Sequence, residues 1–125
     1  MASIRSFFIR HISRYYMTRS KMDSDPLYAR RDFHTRMTKL PAAGGVHHVS
    51  EQIAGIDCEW LIPAGCDDAP VIYYLHGGAY IMGSPQTHRR VVSFIAKAAG
   101  MRAVLPDYRL APEHRYPAQL EDSLS

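Results

Sequence analysis

The residues best suited to chemistry are His76-Gly77-Gly78-Ala79-Tyr80, which follow the apolar run Val71-Ile-Tyr-Tyr-Leu75. Adjacent glycines let a backbone turn back and offer its N–H groups with no Cβ in the way. Donors presented like this can meet a developing negative charge, so the pattern points to stabilisation of an anion or oxyanion. Asp107, Arg109 and Glu113 form a second group of ionisable residues. They could be mistaken for an acid–base cluster, but ion pairing that fixes a loop is the preferred reading. His47 and His48 are adjacent in an alternating segment, so on a strand they point to opposite faces and cannot share a metal.

The elements that must position the glycine loop can be read around it. Val71–Leu75 is a continuous run rich in β-branched and aromatic residues, which reads as a strand buried on both faces, as in a parallel sheet. The glycines then lie at the carboxyl end of that strand, where open α/β sheets place ligands. Ser84-Pro85 supplies a cap and a first helical residue. Val91, Val92, Ile95 and Ala99 give the helix an apolar face, and Gly100 stops it. Ala103–Pro106 is the next short strand, so strand, helix and strand make a βαβ unit with parallel strands. Upstream, Val46–Ile53 and Ile56–Ile62 both alternate about Gly55 and predict a hairpin. Asp25-Pro26 can open a helix that carries Leu27, Arg31 and His34, with Phe33, Met37 and Leu40 on an apolar side, ending at Pro41–Gly45. Residues 107–116 form a loop, and Pro117 starts a last helix with Glu121 and Asp122 in its early turns.

The totals exclude several classes of function. A formal charge of +3 without a basic stripe interleaved with aromatics argues against nucleic acid. No apolar run is long enough to span a membrane. Cys58 and Cys66 are too few for a disulfide framework or a zinc site; they read as free thiols in a reducing, cytoplasmic compartment. Residues 1–22 stand apart, with Arg5, Arg10, Arg14, Arg19 and Lys21 and no acid. Ile4, Phe7, Phe8, Ile12, Tyr15 and Tyr16 recur at near-helical spacing, which predicts an amphipathic helix. It is expected to pack on its own protein rather than on a membrane, because the charges do not gather on one wide face.

Two blocks carry a family resemblance. His76-Gly-Gly-Ala-Tyr80 resembles the HGG-type oxyanion motif of the hormone-sensitive-lipase family of α/β hydrolases. Asp107-Tyr-Arg-Leu-Ala-Pro-Glu-His-Arg-Tyr-Pro117, with Leu120-Glu-Asp122, resembles that family's second hallmark block. The two come in the family's order with one helix between them, and the likeness runs from Val46 to Ser125. It implies an α/β class: the N-terminal portion of an α/β-hydrolase sheet, antiparallel strands first and then a parallel βαβ unit, preceded by cap-type helices. Residues 1–45 would be the helical cap segment and 46–125 an incomplete core. It also implies acyl transfer on small-molecule esters of short to medium acyl length, with no metal and no diffusible cofactor.

The same resemblance assigns roles within the loop. Gly78 and Ala79 would supply the oxyanion N–H donors, Gly77 would allow the turn, and His76 would brace the loop without transferring a proton. Tyr80 is open between lining an acyl pocket and packing as a core aromatic. The family's nucleophile sits in a G-x-S-x-G elbow, and Ser84, Ser123 and Ser125 lack the flanking glycines. The acid and histidine of the triad also lack counterparts, so His76, His88 and His114 are not triad members. The chain is therefore expected to be a fragment that does not hydrolyse esters alone, with Val71–Leu75 left with an open edge and an uncovered face. A non-catalytic small-molecule-binding module of the same fold is the alternative reading, and a membrane-surface or organelle-targeted product is a third. Oligomeric state is undetermined by the sequence.

Overall fold

The computed structural model describes residues 25–125. The basic segment expected to form an amphipathic helix lies outside the described residues. The first described helix, α1, runs Pro26–Met37. Asp25 is extended and its carboxylate accepts the N–H groups of Leu27 and Tyr28, while Pro26 fills a position whose N–H would have no partner. No residue of α1 is fully buried.

A four-stranded sheet follows, in the order β1-β2-β4-β3. Strands β1 (Val46–Ile53) and β2 (Ile56–Pro63) pair antiparallel, with Val46 opposite Pro63 and Ile53 opposite Ile56. Ala54 and Gly55 close this hairpin at φ 50° and 81°, the positive values whose twist suits paired strands. His47 and His48 are neighbours on β1 and both are exposed. Strand β3 is Val71–Tyr73, α2 is Pro85–Ala99 and β4 is Arg102–Pro106. β3 and β4 are parallel, as the βαβ reading requires, and β4 also pairs antiparallel with β2. The last helix, α3, spans Ala118–Leu124 after Pro117.

Helix α2 is fixed at both ends by its sequence. The Ser84 hydroxyl accepts the Thr87 N–H, and the Thr87 hydroxyl accepts the Ser84 N–H, a reciprocal capping box. Gly100 ends the helix in the left-handed conformation at φ 62°. The face that meets the sheet differs from the expected one. Val92, Ser93 and Ala96 are buried, whereas Val91 and Ile95 are exposed. Small side chains let the helix lie close on Leu61, Ala103 and Leu105, with Val46, Ile72 and Tyr74 packed around that cluster. Ser93 tolerates this burial because its hydroxyl donates to the Arg90 carbonyl and accepts the Ala43 N–H.

One polar pair is built into the same interface. Glu59 on β2, 3% exposed, accepts two bonds from the Arg89 guanidinium at 2.6 and 2.7 Å. Removing one member of such a pair strands a buried charge.

The reading of Val71–Leu75 as a strand covered on both faces is corrected. β3 lies at the sheet edge, and Val71, Tyr73 and Leu75 are 40%, 51% and 48% exposed. Only the alternate residues Ile72 and Tyr74 meet the core under α2. The open edge and uncovered face expected for a chain of this extent are what the described residues show.

Replacing Arg89 with Met should destabilise the protein by about 3 kcal/mol, the low end of the range for breaking a buried pair, because the arginine itself keeps contact with water. Urea denaturation of the wild type and R89M checks this; an unchanged midpoint would mean that the pair adds nothing to docking of α2.

Candidate active site

The loop after β3 is built by a tight reversal. The Gly78 carbonyl accepts the N–H groups of Ile81 and Met82, both at 3.1 Å. Ala79 and Tyr80 lie between them at φ 54° and 61°, and Gly78 itself is at φ 135°. Gly78 is the position that requires glycine, since a Cβ there would run into the Met82 carbonyl. Gly77, expected to allow the turn, has ordinary φ and room for a side chain; Gly83 instead takes φ 98° and passes so close to the Gly77 carbonyl and the His76 ring that no Cβ fits.

Neither the Gly78 nor the Ala79 N–H has an acceptor among the described residues. Both border a cavity of about 750 Å³ whose wall is mostly apolar and includes Leu75, Tyr80, Tyr108, Tyr116 and Leu120. Tyr80 is 64% exposed and stands in this wall, so it does not pack as a core aromatic.

His76 lies beneath the loop and is 3% exposed. Tyr108 stacks on it with ring centroids 4.1 Å apart and planes 9° from parallel. The Tyr108 hydroxyl donates to the His76 carbonyl at 2.5 Å. Burial, with the nearby Tyr80 and Asp107 adding to it, pushes the Tyr108 phenol up to about 12, so it stays a donor. That hydroxyl has one proton, already committed; His76 Nδ1, 3.1 Å from the Gly77 carbonyl, therefore carries a proton and donates it there. Nε2 is left as a buried nitrogen without a partner among the described residues. Burial holds the His76 imidazole below its ordinary value, and His88, 5.4 Å away between ring centroids, is lowered in the same way. Both rings are neutral at pH 7.

The second hallmark block wraps around this arrangement. The Ala111 N–H donates to the Tyr80 carbonyl at 2.8 Å. Arg109 does not pair with Asp107 or Glu113; it donates to both oxygens of buried Asp122 on α3 and reaches Glu121. The Asp122 carboxyl is held below the usual carboxylate range, first by the Arg109 guanidinium and also by the Arg109 N–H. Glu113 pairs with Arg30 on α1 at 2.8 Å. Asp107 has no ion-pair partner among the described residues, and desolvation followed by nearby Asp57 pushes its carboxyl up. Ion pairing does fix the loop, but Arg109 and Glu113 find their partners in Asp122 and Arg30 rather than in each other or in Asp107. Arg30, Tyr108 and Gly83 are the positions sequence reasoning missed. No group of His, Cys, Asp and Glu able to hold a metal occurs among the described residues.

The family model for the α/β hydrolase fold matches residues 72–125. With the sheet order described above, this part of the chain has the α/β-hydrolase fold. It is 43% identical over 67 residues to an acetyl-hydrolase of Streptomyces hygroscopicus, a match covering 54% of this chain and 22% of that protein. The crystal structure of an esterase/lipase from an uncultured bacterium superposes with a TM-score of 0.84 at 35% identity, over 97% of this chain and 41% of that one. An esterase of the bacterial hormone-sensitive lipase family matches with a TM-score of 0.72 at 40% identity, over 85% and 34%. The chain thus spans less than half the length of each, corresponding to the N-terminal part of the fold. The hormone-sensitive-lipase-type resemblance read from the two blocks holds. No described helix is long and apolar enough to cross a membrane.

The neutral histidines set a pH dependence. A base whose folded value lies below its unfolded value takes up protons preferentially when unfolded. Its contribution is therefore complete above about pH 6.5 and is lost as the pH falls through the folded value. The thermal midpoint should drop between pH 7.5 and 5.5, and H88Q should flatten that slope. A slope identical in the wild type and H88Q would show that this histidine is not held neutral.

Proposed function

We propose that this chain supplies the oxyanion-binding part of a serine carboxylic ester hydrolase acting on short to medium acyl esters. The observation that carries the reading is the pair of consecutive N–H groups, Gly78 and Ala79, left without acceptors at the rim of a largely apolar cavity. In acyl transfer, attack on an ester carbonyl places negative charge on its oxygen. Two fixed donors aimed at that oxygen stabilise the tetrahedral intermediate more than the ester. Gly78 and Ala79 act as these donors, His76 braces the turn through the Gly77 carbonyl, and Tyr80 shapes the acyl side of the cavity. Neutral His76 moves no proton. On this reading segment 1–45 serves as a cap and 46–125 as the core that carries the loop. The cytoplasm suits the two free thiols, Cys58 and Cys66.

The sequence holds no serine in a G-x-S-x-G elbow, so the donors have no intermediate to receive. The 125-residue chain is inactive by itself, and activity requires the portion of the fold that the longer esterases contain. The test is a p-nitrophenyl butyrate assay on two proteins. One is this chain; the other joins it to the remaining part of the esterase/lipase from the uncultured bacterium, whose fold it superposes on. The chain alone should show background hydrolysis, and the fusion should be active. Ala79→Pro in the fusion removes one donor N–H and also breaks the turn, since proline cannot take the φ of 54° found here, so kcat should fall by at least about 10²–10³. Activity of the chain alone, or a folded and active fusion indifferent to Ala79→Pro, would overturn the proposal.

A further inference from the structure

We infer that Arg30, on α1, is a positioning residue for the oxyanion loop. This deepens the function proposed above and rests on it for its catalytic meaning. Arg30 reaches across more than fifty residues of sequence to three separate acceptors. Its Nε donates to the Ile81 carbonyl at 2.7 Å and its NH2 group to the Ala111 carbonyl at 2.5 Å. NH1 and NH2 then grip the two oxygens of Glu113 at 2.8 and 2.9 Å. One planar group thereby ties the loop that follows Gly78–Tyr80 to the turn of the second hallmark block.

The location of these contacts gives them their role. Ile81 is the residue whose N–H closes the reversal onto the Gly78 carbonyl, and Ala111 is the residue whose N–H holds the Tyr80 carbonyl. Arg30 binds the carbonyl of each, so both peptide segments are held from two sides. Ala79 and Tyr80 sit at positive φ between these anchors, and non-glycine residues stay there only when their surroundings over-determine them. The side chain is 23% exposed, so its bonds are partly shielded from water. α1 has no fully buried residue to hold it by packing, and its visible aromatic contact is Phe33 against His88, 6.3 Å between ring centroids. Arg30 thus joins the helix to the loop by hydrogen bonds, beside the packing of Phe33 on α2. A lysine cannot replace the arginine, because a single ammonium lacks the flat fork that meets two carbonyls and a carboxylate together. The cap segment and the donor loop are on this view one mechanical unit, although they are far apart in sequence.

The test is residue-resolved amide exchange by NMR on the full chain, with no ester present. In Arg30→Met, exchange at the Ile81, Met82 and Ala111 amides should quicken by about tenfold or more, as expected from losing several hydrogen bonds at one place. Amides of Trp60 and Val104 in the sheet should keep their protection, and the Gly78 and Ala79 amide shifts should move. Arg30→Lys should behave like Arg30→Met rather than rescue it. Glu113→Gln, which keeps both carbonyl contacts, should have a smaller effect in the same direction. Unchanged exchange in the loop, full rescue by lysine, or an equal rise across β2 and β4 would each overturn the inference. Should Arg30→Met fail to fold, Arg30→Lys and Glu113→Gln decide by the same comparison of loop with sheet. A loosened loop alongside an inactive fusion would retain the clamp and discard the ester reading; the opposite pair of results would do the reverse.

Discussion

The constraint on which the rest of this structure depends is the run of positive φ at Gly78, Ala79 and Tyr80. Glycine accepts such a conformation freely, but alanine and tyrosine each give up of order 1–3 kcal/mol. The reversal keeps two neighbouring N–H groups out of any hydrogen bond within the described residues, a further loss if water cannot reach them. Nothing local offsets these costs except the two bonds to the Gly78 carbonyl. The surroundings must therefore hold the loop. Gly83 presses on Gly77 and His76, Tyr108 holds the His76 carbonyl, and Ala111 holds the Tyr80 carbonyl. The second hallmark block is accordingly the support of the first.

That support works because its polar atoms are kept uncharged or paired. A charged imidazole beneath the loop would place a buried, unpaired cation beside the Gly78 and Ala79 N–H groups. Desolvation keeps His76 and His88 neutral, and the phenol of Tyr108 is kept protonated by the same burial. Charge is moved to the periphery, where Arg109 meets Asp122 and Arg30 meets Glu113. Lone surface pairs of this kind contribute little. Both arginines here also bind backbone or a buried carboxylate, so their geometry is fixed by more than charge.

How much of this could be read from the sequence depended on how far each signal extends along the chain. The hairpin, the βαβ unit and the caps at Asp25, Ser84 and Gly100 were legible because each rests on residues within a few positions of one another. The glycine loop was legible as a unit because its motif is contiguous. Two of the readings that failed did so because closeness of approach is invisible in a sequence. The buried side of α2 is its small side, Ser93 and Ala96, where closeness of approach outranks hydrophobicity. Gly77 looked like the turn because it precedes Gly78, yet only backbone geometry shows which glycine lacks space. Arg30 could not have been found at all: its partners stand 51 to 83 residues away, and an arginine beside another arginine on a polar helix has the look of a solvated face.

The exposed side of β3 bears on what a preformed donor loop can accomplish. Val71, Tyr73 and Leu75 face outward on the strand that delivers the loop, and the Tyr73 hydroxyl reaches the Ser123 carbonyl of α3 across that face. The longer esterases of this fold have more than twice this length to place against such a surface. The loop is held by Arg30 on α1, by Gly83 and by Tyr108 and Ala111 after β4, and Gly78 and Ala79 border the cavity. Preorganised donors need no rearrangement when charge develops, and that is the source of their catalytic value. For the same reason, their assembly does not have to wait for the nucleophile. On the proposed function, a fold that builds this loop within its N-terminal part, braced by Arg30, Tyr108 and Gly83, separates the holding of charge from the making of it.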